Sequence, residues 1–391
     1  MSENTLVKCF HCGHEDIEEN MYERYCHPSY RQPFPESENW HCEDCMDQIV
    51  KCDFCHSEFH SSQLITGRDL SACPECMEGL IRCSECDELV QEDETELFQN
   101  EPICNSCAYD IRKNLTYIHQ YKFNPVEFNF HEHYNENYTK VFYGIELEID
   151  KTEEQYNNCY ESEENIAIEI HDQINGSDLC DYEKYGYLKY DGSIKHGMEI
   201  VTHPCSFNFH MKDMGWKYIL DQCDTQGYSS HDIGTCGMHI HISRTAFGST
   251  EHEQELNIAK LLLFFETNWN NIVKFSRRSN KQIEDYCSRY NNLLSSDQPS
   301  EICKKAKGSG RYFAVNLKPE DTVEIRIFRG TLKIETFIAS LQFTNLLVEL
   351  LPGISLTETL NLTWDILIQI ASEKGYNEFI EYSKIRKIIA E

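Results

Sequence analysis

The sequence predicts an α+β chain behind a string of small cysteine-rich modules, and three observations predict it. Twelve of the 20 cysteines fall in six CxxC pairs before residue 108. From Val141 onward, short stretches alternate apolar and polar residues with the period of two that a strand imposes. Residues 251–275, 333–351 and 357–390 carry the broader apolar pattern of amphipathic or buried helices. A length of 391 residues suits two or three domains. The boundaries read as 1–110 for the cysteine array, 111–140 for a connector and 141–391 for the larger domain.

Composition and charge narrow the function. Apolar residues make up 40% of the chain, enough for a sizeable core, but no run of 18 apolar residues exists. The N-terminus MSENTLVKCF lacks the basic and apolar pattern of an export signal, so neither a membrane span nor secretion is expected. Net charge is −31 and uneven, since residues 1–110 hold 25 Asp/Glu against 6 Lys/Arg. Nucleic-acid binding neutralises phosphates with Lys and Arg, and this arm has the wrong sign for it. A basic protein or peptide would suit such a surface as partner; a solvated acidic face with no partner is the plainer alternative.

The cysteine pairs are Cys9/Cys12, Cys42/Cys45, Cys52/Cys55, Cys73/Cys76, Cys83/Cys86 and Cys104/Cys107. The unit HCEDCMDQIVKCDFC returns 31 residues later as ACPECMEGLIRCSEC, and its first half returns again as ICNSCAYDI. That is an internal repeat. Two CxxC turns supply four thiolates, and a closed tetrahedron of sulfur is what structural zinc prefers. Sequential pairing predicts three zinc sites, each formed by neighbouring pairs, while a crossed pairing stays open. The longer first loop also holds Cys26 and His27, which could substitute as ligands. Thiolate ligands survive in a reducing compartment, so the cytoplasm is the expected location. The spacing resembles zinc-ribbon and LIM-like tandem modules. In the connector, His131 and His133 read as solvated loop histidines.

The larger domain carries four motifs. In VFYGIELEID, Glu146, Glu148 and Asp150 project from one face of a strand, and neighbouring carboxylates in line favour a divalent cation between them. In LKYDGSIKHGMEIVTHP, Asp191-Gly192-Ser193 reads as a turn and Met198–Thr202 as a strand bearing Glu199. CGMHIHIS puts His239 and His241 on one face, a pattern for metal or phosphate. KGSGRYFAVNL reads as a basic Gly-rich loop, with Lys307 and Arg311 available to phosphate. In DTVEIRIFRGTL, Glu324, Arg326 and Phe328 share a face. Arg277 and Arg278, after the first helix, could face a substrate carboxylate or ATP, or lie at a solvated helix end.

The wording GIELEI, DGSI…MEIVTHP, CGMHIHIS and VEIRIFRGTL, in that order, resembles the amidoligase family over about residues 120–350. That family is similar to glutamate–cysteine ligases and, more distantly, to glutamine synthetases. The resemblance implies a glutamine synthetase-like curved antiparallel sheet with flanking helices, holding two or more Mg²⁺ or Mn²⁺ ions and ATP. It implies metal ligation by Glu146, Glu148, Glu199, His239 and Glu324, phosphate contact by His241 and Arg326, and a position for Asp191 near the amine. Arg311 is a weaker phosphate candidate. The implied reaction joins a carboxylate and an amine through an acyl phosphate. The substrates are open between small amino acids and a peptide or protein, and the oligomeric state is open too. No P-loop and no serine or cysteine elbow is present. The alternative readings are an inactive ligase-like scaffold whose zinc modules recruit protein partners and, less favoured, a metal-dependent phosphohydrolase.

Overall fold

The computed structural model describes residues 5–9, 11–23, 40–66, 70–134, 136, 140–159, 161–231, 233–290 and 298–390. Cys26 and His27 lie outside the described residues. The chain divides into two compact units: Met1–Leu115 with Asp178–Cys180, and Thr116–Ser177 with Asp181–Glu391.

The first unit is a threefold repetition of one small design. Each repeat opens with an antiparallel hairpin around the first CxxC: Leu6–Lys8 with Glu15–Ile17, Ile49–Lys51 with Glu58–His60, and Leu80–Arg82 with Leu89–Gln91. The residue after the second cysteine of each of these pairs has positive φ: Gly13 at 77°, His56 at 59° and Asp87 at 67°. The chain must turn back tightly there to aim both sulfurs at one point, and only the first repeat uses glycine for it. A second hairpin follows, and then a helix that begins on the next CxxC. Cys42, Cys73 and Cys104 stand as extended N-caps, with Cys45, Cys76 and Cys107 in the first turn.

These turns bring the cysteines into three fours: Cys9–Cys12–Cys42–Cys45, Cys52–Cys55–Cys73–Cys76 and Cys83–Cys86–Cys104–Cys107. The pairing is therefore sequential and not crossed. Sulfur pairs stand 3.5 Å (Cys12–Cys42), 3.9 Å (Cys55–Cys73) and 3.8 Å (Cys86–Cys104) apart. A disulfide needs about 2.05 Å, whereas a tetrahedron with Zn–S of about 2.3 Å has edges of about 3.8 Å. Backbone N–H groups of Cys73 and Cys104 donate to the sulfurs of Cys52 and Cys83. Burial opposes the thiolate at Cys9, Cys52 and Cys83, but such N–H donors outweigh it and bring all three to about 6. The clusters suit structural zinc.

The second unit is built on one seven-stranded sheet. Its strands are β1 (Ile118–His119), β2 (Tyr143–Ile149), β3 (Gly186–Lys189), β4 (Met198–Thr202), β5 (Gly237–Ser243), β6 (Val315–Asn316) and β7 (Thr322–Arg329). They lie in the order β1-β3-β4-β2-β5-β7-β6. All neighbours are antiparallel except the edge pair β1–β3, so the sheet is mixed. The parallel strand comes from the stretch expected to be a connector. Its His131 is no solvated loop residue: Nε2 donates to the Lys184 carbonyl at 2.7 Å and the ring stacks on Phe209. His133 pairs with Asp213 at 2.8 Å.

One face of the sheet is sealed. Tyr143, Ile145, Leu147 and Ile149 are fully buried, as are Met238, Ile240 and Ile242 of β5 and Val323, Ile325 and Ile327 of β7. The helix Ile334–Leu350 covers this face, and Asn345 accepts the Tyr143 hydroxyl at 2.7 Å. Phe343 of that helix stacks with Trp364 and packs on Phe275, Phe328 and Phe379. Ile334–Gly353 is long and apolar enough on average to cross a membrane, but 72% of the window is buried inside the fold, as a core helix is. Gln342 and Asn345 interrupt the apolar run and are satisfied locally, Gln342 by the Phe379 N–H at 2.9 Å. The expected helix 251–275 is two, Glu251–Thr267 and Trp269–Ser276, divided at Asn268.

Candidate metal and anion site

Because side chains alternate across a strand, sealing the odd positions of β2 sends Glu146 and Glu148 to the opposite face. Register then decides what they meet. Glu146 lies directly across from His239 of β5, and Glu148 across from Glu199 of β4. His241 lies across from Glu324 of β7, and Glu199 in turn across from Lys189 of β3. These residues form the floor of a cavity of about 920 Å³. At its rim stand Tyr121, Lys122, Arg311, Tyr312 and Lys318, all exposed.

Glu146, His239, His241 and Glu324 make the tightest cluster. His239 Nδ1 is 3.2 Å from Glu146 and 3.5 Å from Glu324, and His241 Nε2 is 3.3 Å and 3.9 Å from the same two carboxylates. Donors at about 2.0–2.1 Å from a common ion have edges of about 3.3 Å, so Glu146, His241 and Glu324 are spaced for a small divalent cation, with His239 on the other Glu146 oxygen. Two of the ligands are held from behind. His241 Nδ1 bonds Thr322 Oγ1 at 3.0 Å, which aims Nε2 inward, and Asn316 donates to Glu324 at 2.6 Å. Arg326 also hydrogen-bonds Glu324. Burial pushes the Glu146 carboxyl up, but the His241 charge and the His239 hydrogen bond outweigh it and hold it well below the usual range. Burial works against a charged His241, yet the Glu146 charge beside it raises the imidazole above its ordinary value.

The other end of the floor is arranged differently. Glu148 accepts the Gly237 N–H, and burial raises its carboxyl against the pull of His239. Burial and then the Glu146 charge push the Glu199 carboxyl well up, while Lys189, at 3.1 Å, pulls it down. Lys189 itself is held charged, its burial outweighed by Glu199 and Glu146. Gly237 is required here, because a Cβ on it would stand 2.5 Å from Arg278 Nη2 and 3.0 Å from His239 Nε2.

Several expected residues sit elsewhere. Asp150 is buried but tied to the backbone N–H groups of Lys151 and His196, each at 2.8 Å, so it orders a turn instead of facing the cavity. Lys307 belongs to the helix Pro299–Ser309 and lines a separate cavity with Arg244 and Glu255. A helix C-terminus presents carbonyls, not N–H groups, so this stretch is no phosphate loop. Arg311 does reach the cavity rim, donating to Tyr312 Oη at 2.7 Å. Asp191 lines the rim too, with Oδ1 committed to the Ser193 N–H and hydroxyl. Phe328 leaves the Glu324–Arg326 face. The β5–β7 register slips between Met238 and Ile240, so Arg326 and Ile327 together oppose His239, and the bulge turns Phe328 into the core.

Two residues gain a place that periodicity alone does not assign. Lys189, on the short strand β3, faces the cavity and pairs with Glu199. Arg278, left open between site and solvent, is 5% exposed and lines the cavity. It donates to the carbonyls of Ile327 and Phe328 at the bulge, at 3.3 Å and 2.9 Å, and its Nη1 has no partner among the described residues. Arg277, one residue away, is in the left-handed region and does not line the cavity.

Compared with known proteins, the chain matches no family model and no curated protein.

Proposed function

We propose that the second unit is an ATP-dependent carboxylate–amine ligase that works with a divalent cation. The single observation that carries this reading is the convergence of Glu146, His239, His241, Glu324 and Arg326 on one cavity floor beneath a basic, aromatic rim. They come from three strands, and each belongs to a motif that resembles the amidoligases. A glutamine synthetase-like sheet is the finer fold that goes with this reading.

Phosphoryl transfer depends on positioning and charge neutralisation more than on covalent help. Glu146, Glu324, His239 and His241 would hold the cation, which would screen the phosphates of ATP. Arg326, anchored by Glu324, would face the transferred phosphoryl group, and Arg311 and Lys318 at the rim would draw the nucleotide in. Arg278 offers a buried, fixed N–H to a substrate carboxylate. Glu148, with its raised carboxyl, is better suited than Asp191 to take the proton of the attacking amine. The three cysteine clusters would serve as structural zinc sites, their acidic surface suiting a basic peptide substrate or protein partner.

The test is ATP turnover by the zinc-loaded chain with Mg²⁺ or Mn²⁺ against pooled amino acids and peptides, with products read by mass. ADP and phosphate formed together with a product lighter by one water than its two precursors is the expected result. ATP binding with no turnover on any pool, together with partner capture by the zinc arm, would favour an inactive scaffold. Phosphate release without an amine would favour a phosphohydrolase.

A further inference from the structure

We propose that Lys189 occupies, as a built-in cation, the place of a second divalent ion, so that the cavity floor binds one metal ion and not two. This rests on the metal site proposed above and adds its stoichiometry and the residue that sets it.

The described residues on the floor include two overlapping groups of ligands. Glu146, His241 and Glu324 form one, and Glu146, Glu199 and His239 form the other, with donor atoms within 4.8 Å in each. Read from the carboxylates alone, they are two adjacent cation sites sharing Glu146. The fixed cations separate them. Glu199 carries the Lys189 ammonium at 3.1 Å, and both side chains are shielded, at 4% and 14% exposure. Lys189 is the direct cross-strand neighbour of Glu199, so strand pairing places the two side by side. A divalent ion on Glu199 would have to share that carboxylate with an ammonium that has little solvent to retreat into. At the same end, Arg278 approaches Glu148 across Gly237.

Charge balance points the same way. Glu146, Glu148, Glu199 and Glu324 share the floor with Lys189, Arg278 and Arg326, so fixed cations already offset much of the carboxylate charge that a second divalent ion would need.

The experiment is a Mn²⁺ titration of the full, zinc-loaded chain, followed by the electron paramagnetic resonance of free Mn²⁺ after weakly held metal has been removed. Wild type and K189R are expected to bind one Mn²⁺, and K189Q two, with the spin-coupled spectrum of a pair. Two Mn²⁺ on wild type or on K189R would overturn the proposal. One Mn²⁺ on both wild type and K189Q would overturn the role of Lys189. No binding by wild type would instead overturn the metal site on which the proposal rests.

Discussion

Cysteine supplies much of what is buried in Met1–Leu115, whereas phenylalanine, isoleucine and leucine fill Thr116–Glu391. The small cores of the first unit are clusters such as Cys9, Met21, Cys42 and Cys45, or Cys52, Phe59, Leu64 and Cys73. Each contains too little apolar surface to offset the ordering of its own backbone. The second unit has a continuous core in which Phe275, Phe328, Phe343, Trp364 and Phe379 pack together. That core can support buried charge that contributes nothing to folding. The difference teaches where each unit places its polar chemistry: in the first it is the fold, and in the second it is carried by one.

Chelation should break the comparison most visibly. Stripping zinc is expected to unfold the first unit, since structural Zn²⁺ contributes about 10–16 kcal/mol per site in small modules, while the second stays folded. Limited proteolysis with and without chelator measures this, and an arm that resists protease in chelator would remove the contrast. The converse test is E146Q, which takes away the carboxylate shared by His239 and His241. ATP turnover is expected to fall by ~10³-fold with the melting curve nearly unchanged. A large loss of stability would mean that the charge cluster is part of the core after all.

A third test sharpens what holds the second unit. His210 is 2% exposed, with Nε2 donating to the Tyr143 carbonyl at 2.9 Å and Nδ1 accepting the Trp216 indole N–H at 3.2 Å. The Nδ1 bond requires the neutral ring, since an imidazolium has no acceptor nitrogen, and burial lowers its pKa from 6.5 to about 4. A depressed folded value means stability that is complete above 6.5 and lost as pH falls toward 4, about 3 kcal/mol in all. Urea unfolding of wild type against H210Q at pH 7 and pH 4.5 reads this difference, and acid loss of zinc, common to both proteins, cancels. Equal acid sensitivity would show that another group titrates.

The smallest effect belongs to the knuckle turns. His56 and Asp87 hold positive φ where the first repeat has Gly13. D87G is expected to stabilise the first unit by about 1 kcal/mol, seen as slower zinc loss to a competing chelator. Faster loss would mean that the Asp87 carboxylate, 3.0 Å from Arg82, matters more than the backbone strain.

Much of the site was legible because its signals are local. CxxC spacing specifies a metal knuckle within four residues, and GIELEI or GMHIHI shows which side chains share a strand face. The zinc pairing was not legible from such local signals: the repeat unit carries Cys42/Cys45 and Cys52/Cys55, yet the hairpins send these two pairs to different clusters. Lys189 and Arg278 were not legible in the same way. A period of two says which face a residue takes, but not which strand lies beside it.

The chain by itself therefore determined the knuckles, the alternation of the strands and which carboxylates and histidines share a strand face, all of which depend on neighbours a few residues apart. Only the tertiary structure decided that Glu146 meets both histidines, that the β7 bulge turns Phe328 inward, and that Lys189 and Arg278 close the far end of the floor. Those outcomes depend on strand order and register, set by pairings between segments up to about two hundred residues apart, as the Tyr143–Asn345 hydrogen bond is. Sequence periodicity carries no information about such partners.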